Sequence, residues 1–173
     1  MSPSVFWRTA IAGFIATFVM TMTGFWQHGV GIRTVDVGFL LATNMTASHP
    51  EMPYSLFAGN LAHFANGVLL ALIWVAFVRR YVPGSWVLHG IVYGVFLMVI
   101  ADLFVFPLIA DVGVFFARTR APGAMLLASL IVYLAYGLAL TLGLELAGIG
   151  ATAGRVVEDV RLEIWPRRER RRA

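Results

Sequence analysis

The sequence predicts an all-α membrane protein, with four transmembrane helices in an up-down bundle and a short interfacial helix in the outer connection between the first two. Three observations carry that fold class. Of 173 residues, 60% are hydrophobic and only 13% are charged, about half the charged fraction of a soluble domain. Mean hydropathy is +0.81. The apolar residues come in four long runs instead of amphipathic stripes, each near the roughly 20 residues that cross a bilayer core. Backbone groups find no water in hydrocarbon, so the runs must be helical.

Span 1 covers about residues 7–27. Its apolar run exceeds the roughly 7–15 residues of a signal-peptide core, and no A-x-A site follows, so it reads as a retained helix. Span 2 covers about residues 56–78. Span 3 covers about residues 86–106, between Pro83-Gly84 and Pro107, and span 4 about residues 123–148. The connection from His28 to Ser55 is long for a helix link. Within it, DVGFLLATNM (Asp36 to Met45) predicts a short helix on the outer surface. Val114-Phe115-Phe116, between spans 3 and 4, is expected to prefer the interface to water. Residues 1–150 thus form the membrane domain and 151–173 a cytoplasmic segment.

Arginine placement sets the orientation. Arg8 precedes span 1, Arg79 and Arg80 separate spans 2 and 3, and seven of the thirteen basic residues, all of them arginine, follow residue 150. The opposite side carries Arg33, Arg118 and Arg120. The positive-inside rule puts both termini in the cytoplasm of a bacterial inner membrane. Trp7, Tyr81, Trp86 and Trp165 on one side, with Trp26 and Tyr54 on the other, suit interfacial aromatic belts. The pI of 10.1 belongs mostly to the tail, so no nucleic-acid partner is expected. Val156, Val157, Val160 and Ile164 share a helical face that ends at Pro166. Arg167, Arg168, Arg170, Arg171 and Arg172 follow and suit anionic lipid headgroups.

Polar residues gather in the outer half. A rise of about 1.5 Å per residue puts His63 about 6 Å, and Asp102 about 9 Å, outward of the midplane. Ser129 and Tyr133 fall in the same half of span 4. Thr17, Thr21, Gly24 and His28 share one face of span 1, as do Asn60, His63 and Gly67 on span 2. An ionised Asp near a helix centre costs about 2.5–3.5 kcal/mol on the insertion scale. Asp102 is therefore expected to turn inward and meet His63, Asn60 or Tyr133. Asn60, His63, Asp102, Tyr133, Ser129 and His28 are the candidates for ligand or proton handling. His89 and Glu145 are at similar depth nearer the inner side and can pair, or Glu145 can reach towards the headgroups. Span 2 (HFANGVLL, from His63) and span 4 (YLAYGLAL, from Tyr133) also match weakly, which hints at a duplicated helix hairpin.

Chemistry is sparse. The chain has no cysteine, which excludes disulfides and thiolate metal sites. Bis-His haem needs two histidines at one depth, whereas His63 and His89 differ by roughly 15 Å and His28 matches His63 poorly. Met45, His49 and Met52 offer thioether and imidazole groups of the kind that suit Cu(I), at loose spacing. Haem and copper are the two cofactors considered, and the cofactor stays open. No G-x-S-x-G, H-E-x-x-H or Walker motif occurs, and a Ser129–His63–Asp102 triad can only be drawn on paper, so no enzyme is expected.

AGFIATFVMT, VDVGFLLATNM, LAHFANGVLLALIW, LHGIVYGVFL and a fourth span containing Tyr136-Gly137 together resemble small bacterial four-helix membrane proteins, the YagU-like proteins among them, over about residues 8–148. The resemblance implies fold and location and assigns no activity. Ser129 and Tyr133 stand where a histidine would complete a His-rich pattern. The leading expectation is a non-enzymatic membrane module, an accessory or structural subunit of a larger respiratory or photosynthetic assembly, with membrane lipids and other subunits as partners. The alternative is a small transporter, or a quinone-, haem- or ion-binding protein, built around His63 and Asp102.

Overall fold

The computed structural model describes residues 1–46 and 51–149, and these form helices and connections without strands. Helix α1 is Pro3–Gly29, α2 is Val37–Thr46, α3 is Pro53–Ile73, α4 is Trp86–Ile100, α5 is Phe106–Ile109 and α6 is Pro122–Leu146. A π-helical turn, Trp74–Val78, and a 3-10 turn, Arg79–Tyr81, continue α3, and a second π-helical turn, Ala101–Val105, joins α4 to α5. Four continuous apolar helices result, Pro3–Gly29, Pro53–Tyr81, Trp86–Ile109 and Pro122–Leu146, of 27, 29, 24 and 25 residues. Each is long and apolar enough to cross a membrane. Every predicted span coincides with one of them to within a few residues at each end. The tail beyond residue 149, with its predicted amphipathic helix and arginines, lies outside the described residues.

Local chemistry sets the boundaries. Ser2 caps α1 through Val5 N–H at 3.4 Å, Ser85 caps α4 through Leu88 N–H at 3.4 Å, and Pro3, Pro53 and Pro122 occupy first turns. Gly84, at φ 117°, makes the turn before α4.

Helix α1 packs against α3 and α6, α4 against α6, and α2 against α3. Two arginines tie three helix ends together. Arg8 donates to the Ala147 carbonyl at 3.0 Å and Arg79 to the Ile149 carbonyl at 3.0 Å. These carbonyls lie just past α6, where a helix lacks N–H partners and favours cations. At the opposite end, Gln27 Nε2 donates to the Ala128 carbonyl at 3.3 Å, so α1 and α6 run antiparallel.

The arginine-end half is closely packed. Trp74 stacks on Tyr93 with centroids 4.4 Å apart, and the Tyr93 hydroxyl donates to the Leu70 carbonyl at 2.7 Å. Nearer the middle, the Tyr136 hydroxyl crosses from α6 to the Gly67 carbonyl at 2.6 Å. Helices α4 and α6 meet glycine to glycine. A Cβ on Gly137 would overlap the Gly90 carbonyl and lie 2.9 Å from Gly94 N. Gly67 and Gly137, matched in the sequence repeat, play the same part: a Cβ on Gly67 would overlap Thr17 of α1.

Helix α2 is the helix predicted over Asp36 to Met45. Asp36 Oδ1 caps it, accepting from Phe39 N–H at 2.9 Å. Gly59 of α3 lies against the backbone of Gly38 and Ala42, and Gly38 lies against the Asn60 amide. Helix α2 therefore runs back along the first half of α3, with Asp36 within electrostatic reach of His63. Its other side joins α4 and α5. Val35, Val37 and Leu40 pack on Ala101, Phe106 and Phe116, and Asn44 Nδ2 donates to the Ile109 carbonyl at 3.2 Å. A half-length helix is thus wedged between α3 and the end of the α4–α5 span. Of Val114-Phe115-Phe116, the first is exposed and Phe116 is buried against Phe106.

Candidate functional site

The six candidates of the outer half fall into two groups, with the α2 wedge between them. On one side His63, 7% exposed, comes within 3.2 Å of Thr21 Oγ1 through Nε2. The Thr21 hydroxyl donates to the Thr17 carbonyl at 2.8 Å. A hydroxyl has one proton, so Thr21 accepts from His63, and in neutral His63 Nε2 carries the proton and Nδ1 is an acceptor. Asn60 Nδ2 donates to the Leu56 carbonyl at 2.8 Å. His28 is exposed at the end of α1.

These residues surround a cavity of about 170 Å³, into which Thr21 and His28 of α1, Asp36 before α2, and Asn60 and His63 of α3 converge. Met20, Val35, Val37 and Val132 form its apolar wall. The polar faces of spans 1 and 2 both line this cavity. Asp36 is the residue that sequence reasoning missed. It was legible as the N-cap of the predicted helix, but its depth depends on α2 folding back along α3.

On the other side Asp102 is fully buried. It meets Ser129, whose hydroxyl donates to Oδ1 at 2.9 Å. Of the three expected partners, His63 and Asn60 make no bond to it, while Tyr133 lies within its electrostatic reach without a hydrogen bond. Asp102 sits in the π-helical turn Ala101–Val105 and bonds α6, while Val35 and Val37, just before and at the start of α2, pack on the cluster of Ala101, Phe106 and Phe116. Among the described residues Asp102 Oδ2 has no hydrogen-bond partner. Tyr133 stands between the groups, lining one small void with Ser129 and another with His63 and Asn66. The paper triad dissolves, because Ser129 holds Asp102 while His63 faces Thr21.

The inner pair is not formed either. His89 Nε2 lies 2.7 Å from the Val82 carbonyl and its ring meets Trp74 edge-on. Glu145 is exposed, within electrostatic reach of Arg79. The turn after the α3 span brings Val82 over His89, which a depth estimate could not anticipate. Met45 and Met52 are exposed on either side of residues 47–50, and His49 lies outside the described residues. Among the described residues no group of three or more His, Asp or Glu side chains could hold a metal ion.

No family model, no curated protein and no solved structure matches this chain.

Proposed function

We propose that this is a multi-pass protein of a bacterial inner membrane that binds a small ligand in the outer half of an up-down four-span bundle. Both termini are cytoplasmic, with the arginine end inward. The arginine bias supports that orientation, as do Trp7 and Tyr81 at one end and Trp26 and Tyr54 at the other, all strongly exposed. Helix α2 then dips into the outer half beside α3 instead of lying on the surface. No covalent chemistry is assigned. The observation that carries the reading is the cavity, where polar side chains of three segments converge and Thr21, Asn60 and His63 lie within apolar spans, in which polar groups are costly. Its volume is comparable to the roughly 150 Å³ of a cavity that accommodates benzene.

Gly24→Leu tests this reading. Gly24 lines the cavity, and a Cβ there meets nothing within 4 Å. A leucine occupies the space without moving the helices. A small molecule should leave the native membrane with the wild-type protein in mild detergent, be seen by mass spectrometry, and be missing from Gly24→Leu. Equal small-molecule content in both would sink the cavity as the site.

A second reading, the accessory subunit, has one observation in its favour. Asn66, well inside the second span, is exposed, and an amide facing hydrocarbon gains from a neighbouring helix that bonds it. Stoichiometric protein companions lost on Asn66→Leu would favour that reading.

A further inference from the structure

Resting on the cavity reading, we infer that the ligand is a small organic cation with N–H donors, a primary ammonium carried on a short apolar body. Thr21 directs its proton to Thr17 and His63 directs its Nε2 proton to Thr21. Asn60 has one amide proton engaged by Leu56, which leaves one N–H and its Oδ1. Asp36 uses Oδ1 to cap α2, and Oδ2 remains. Neutral His63 contributes Nδ1 as a further acceptor. Thr34, which also lines the cavity, brings one donor and an acceptor, and a neutral imidazole at His28 does the same, so acceptors still outnumber donors.

The formal charge points the same way. Asp36 supplies the negative charge at the cavity, and no arginine lines it. The carboxylate stands at a helix start, where the α2 N–H groups stabilise it as an anion. A bare metal ion is too small for the space, and the described acidic and imidazole groups do not converge closely enough to ligate one. An ammonium group can bond Asp36, Asn60 and His63, while Met20, Val35, Val37 and Val132 receive a hydrocarbon body. Charge-assisted hydrogen bonds of this kind are the stronger ones.

Four probes, each a phenyl ring with a one-carbon arm, separate the possibilities: benzylamine, benzyl alcohol, benzoate and the bulkier benzyltrimethylammonium. Binding to the purified full chain in detergent is read by calorimetry. Benzylamine should bind best, and Asp36→Asn should weaken it between about tenfold and a hundredfold. Asn caps a helix as well as Asp does, so α2 keeps its start in that variant, and a thermal scan checks the fold. Gly24→Leu should abolish binding of every probe. Benzyl alcohol or benzoate binding as tightly as benzylamine, and still blocked by Gly24→Leu, overturns the cation assignment and leaves the cavity reading intact. Benzyltrimethylammonium matching benzylamine overturns the requirement for N–H donors. If none of the four binds, both readings fall.

Discussion

The two halves of the bundle differ in what their polar groups surround. At the arginine end they fasten helices. Arg8 and Arg79 reach carbonyls beyond α6, and Tyr93 reaches a carbonyl of α3. Trp74 and Tyr93 fill the space between α3 and α4. At the opposite end the α2 wedge holds the helices apart, and Thr21, Asn60 and His63 mostly satisfy one another or their own helix turns around an open cavity. A group that bonds across helices contributes to stability, whereas a group that lines a void is free to bond a guest. On the proposed reading the difference places recognition beside the α2 wedge, while Gln27, Asn44 and Ser129 fasten helices at that end too.

The comparison predicts its largest effect where α4 meets α6. Gly137→Leu drives a side chain into the backbone of Gly90 and Gly94, so the helices must part or the fold must rearrange. Even Gly137→Ala is expected to cost about 1–3 kcal/mol as overpacking, read as a lowered midpoint of thermal unfolding in detergent. An unchanged midpoint would mean that the glycine contact is slack and the contrast between halves is overdrawn. Next comes the buried carboxyl. Ser129→Ala removes the hydroxyl on Asp102 and should cost about 1–3 kcal/mol, while Asp102→Asn, which keeps an acceptor for Ser129, should cost less. The reverse order would show that the carboxyl itself, and not its bond to Ser129, holds this corner. Tyr136→Phe is smaller. It leaves the ring in place and removes one hydroxyl from the Gly67 carbonyl, a bond worth about 0.6 kcal/mol on average in membranes. A loss several times larger would show a cooperative network among the tyrosines.

Much of the arginine-end half was legible in the sequence. Hydropathy marked the four spans, and Pro3 and Ser85 mark the two helix starts at this end by rules that need only a few neighbouring residues, as Pro53 and Pro122 do at the other end. Gly90-Ile-Val-Tyr-Gly94 has the small-xxx-small spacing of close helix contacts. The opposite half was harder to read. Thr21, His28, Asn60 and His63 line one cavity, but their partners depended on α2. A short apolar helix between two spans can lie on a surface or fold back along a neighbour, and composition does not distinguish the two. Gly38, Ala42 and Gly59 decide it here by letting backbones approach. Once α2 stands between α3 and the α4–α5 span, Asp102 meets Ser129 instead of His63. The π-helical turn that carries Asp102 has no sequence signature, so depth was readable and azimuth was not.

The smallest expected change in stability is also the sharpest test of the contrast. Leucine in place of Gly24 adds a side chain to a helix interior, where glycine is about 0.8–1.0 kcal/mol poorer than alanine and leucine is close to alanine. Its Cβ meets nothing within 4 Å, so no contact need be displaced. The added methyl groups lie against Met20, Val37 and Val132, although they bring an apolar side chain towards Asn60 and His63. The balance should leave the thermal midpoint level or slightly raised while ligand binding disappears. That combination separates a void kept open for a guest from a void left by imperfect packing, because either kind tolerates filling but only the first loses a ligand. A midpoint lowered as far as in Gly137→Ala would mean that the cavity half is as tightly determined as the arginine-end half, and that its polar lining is architecture after all.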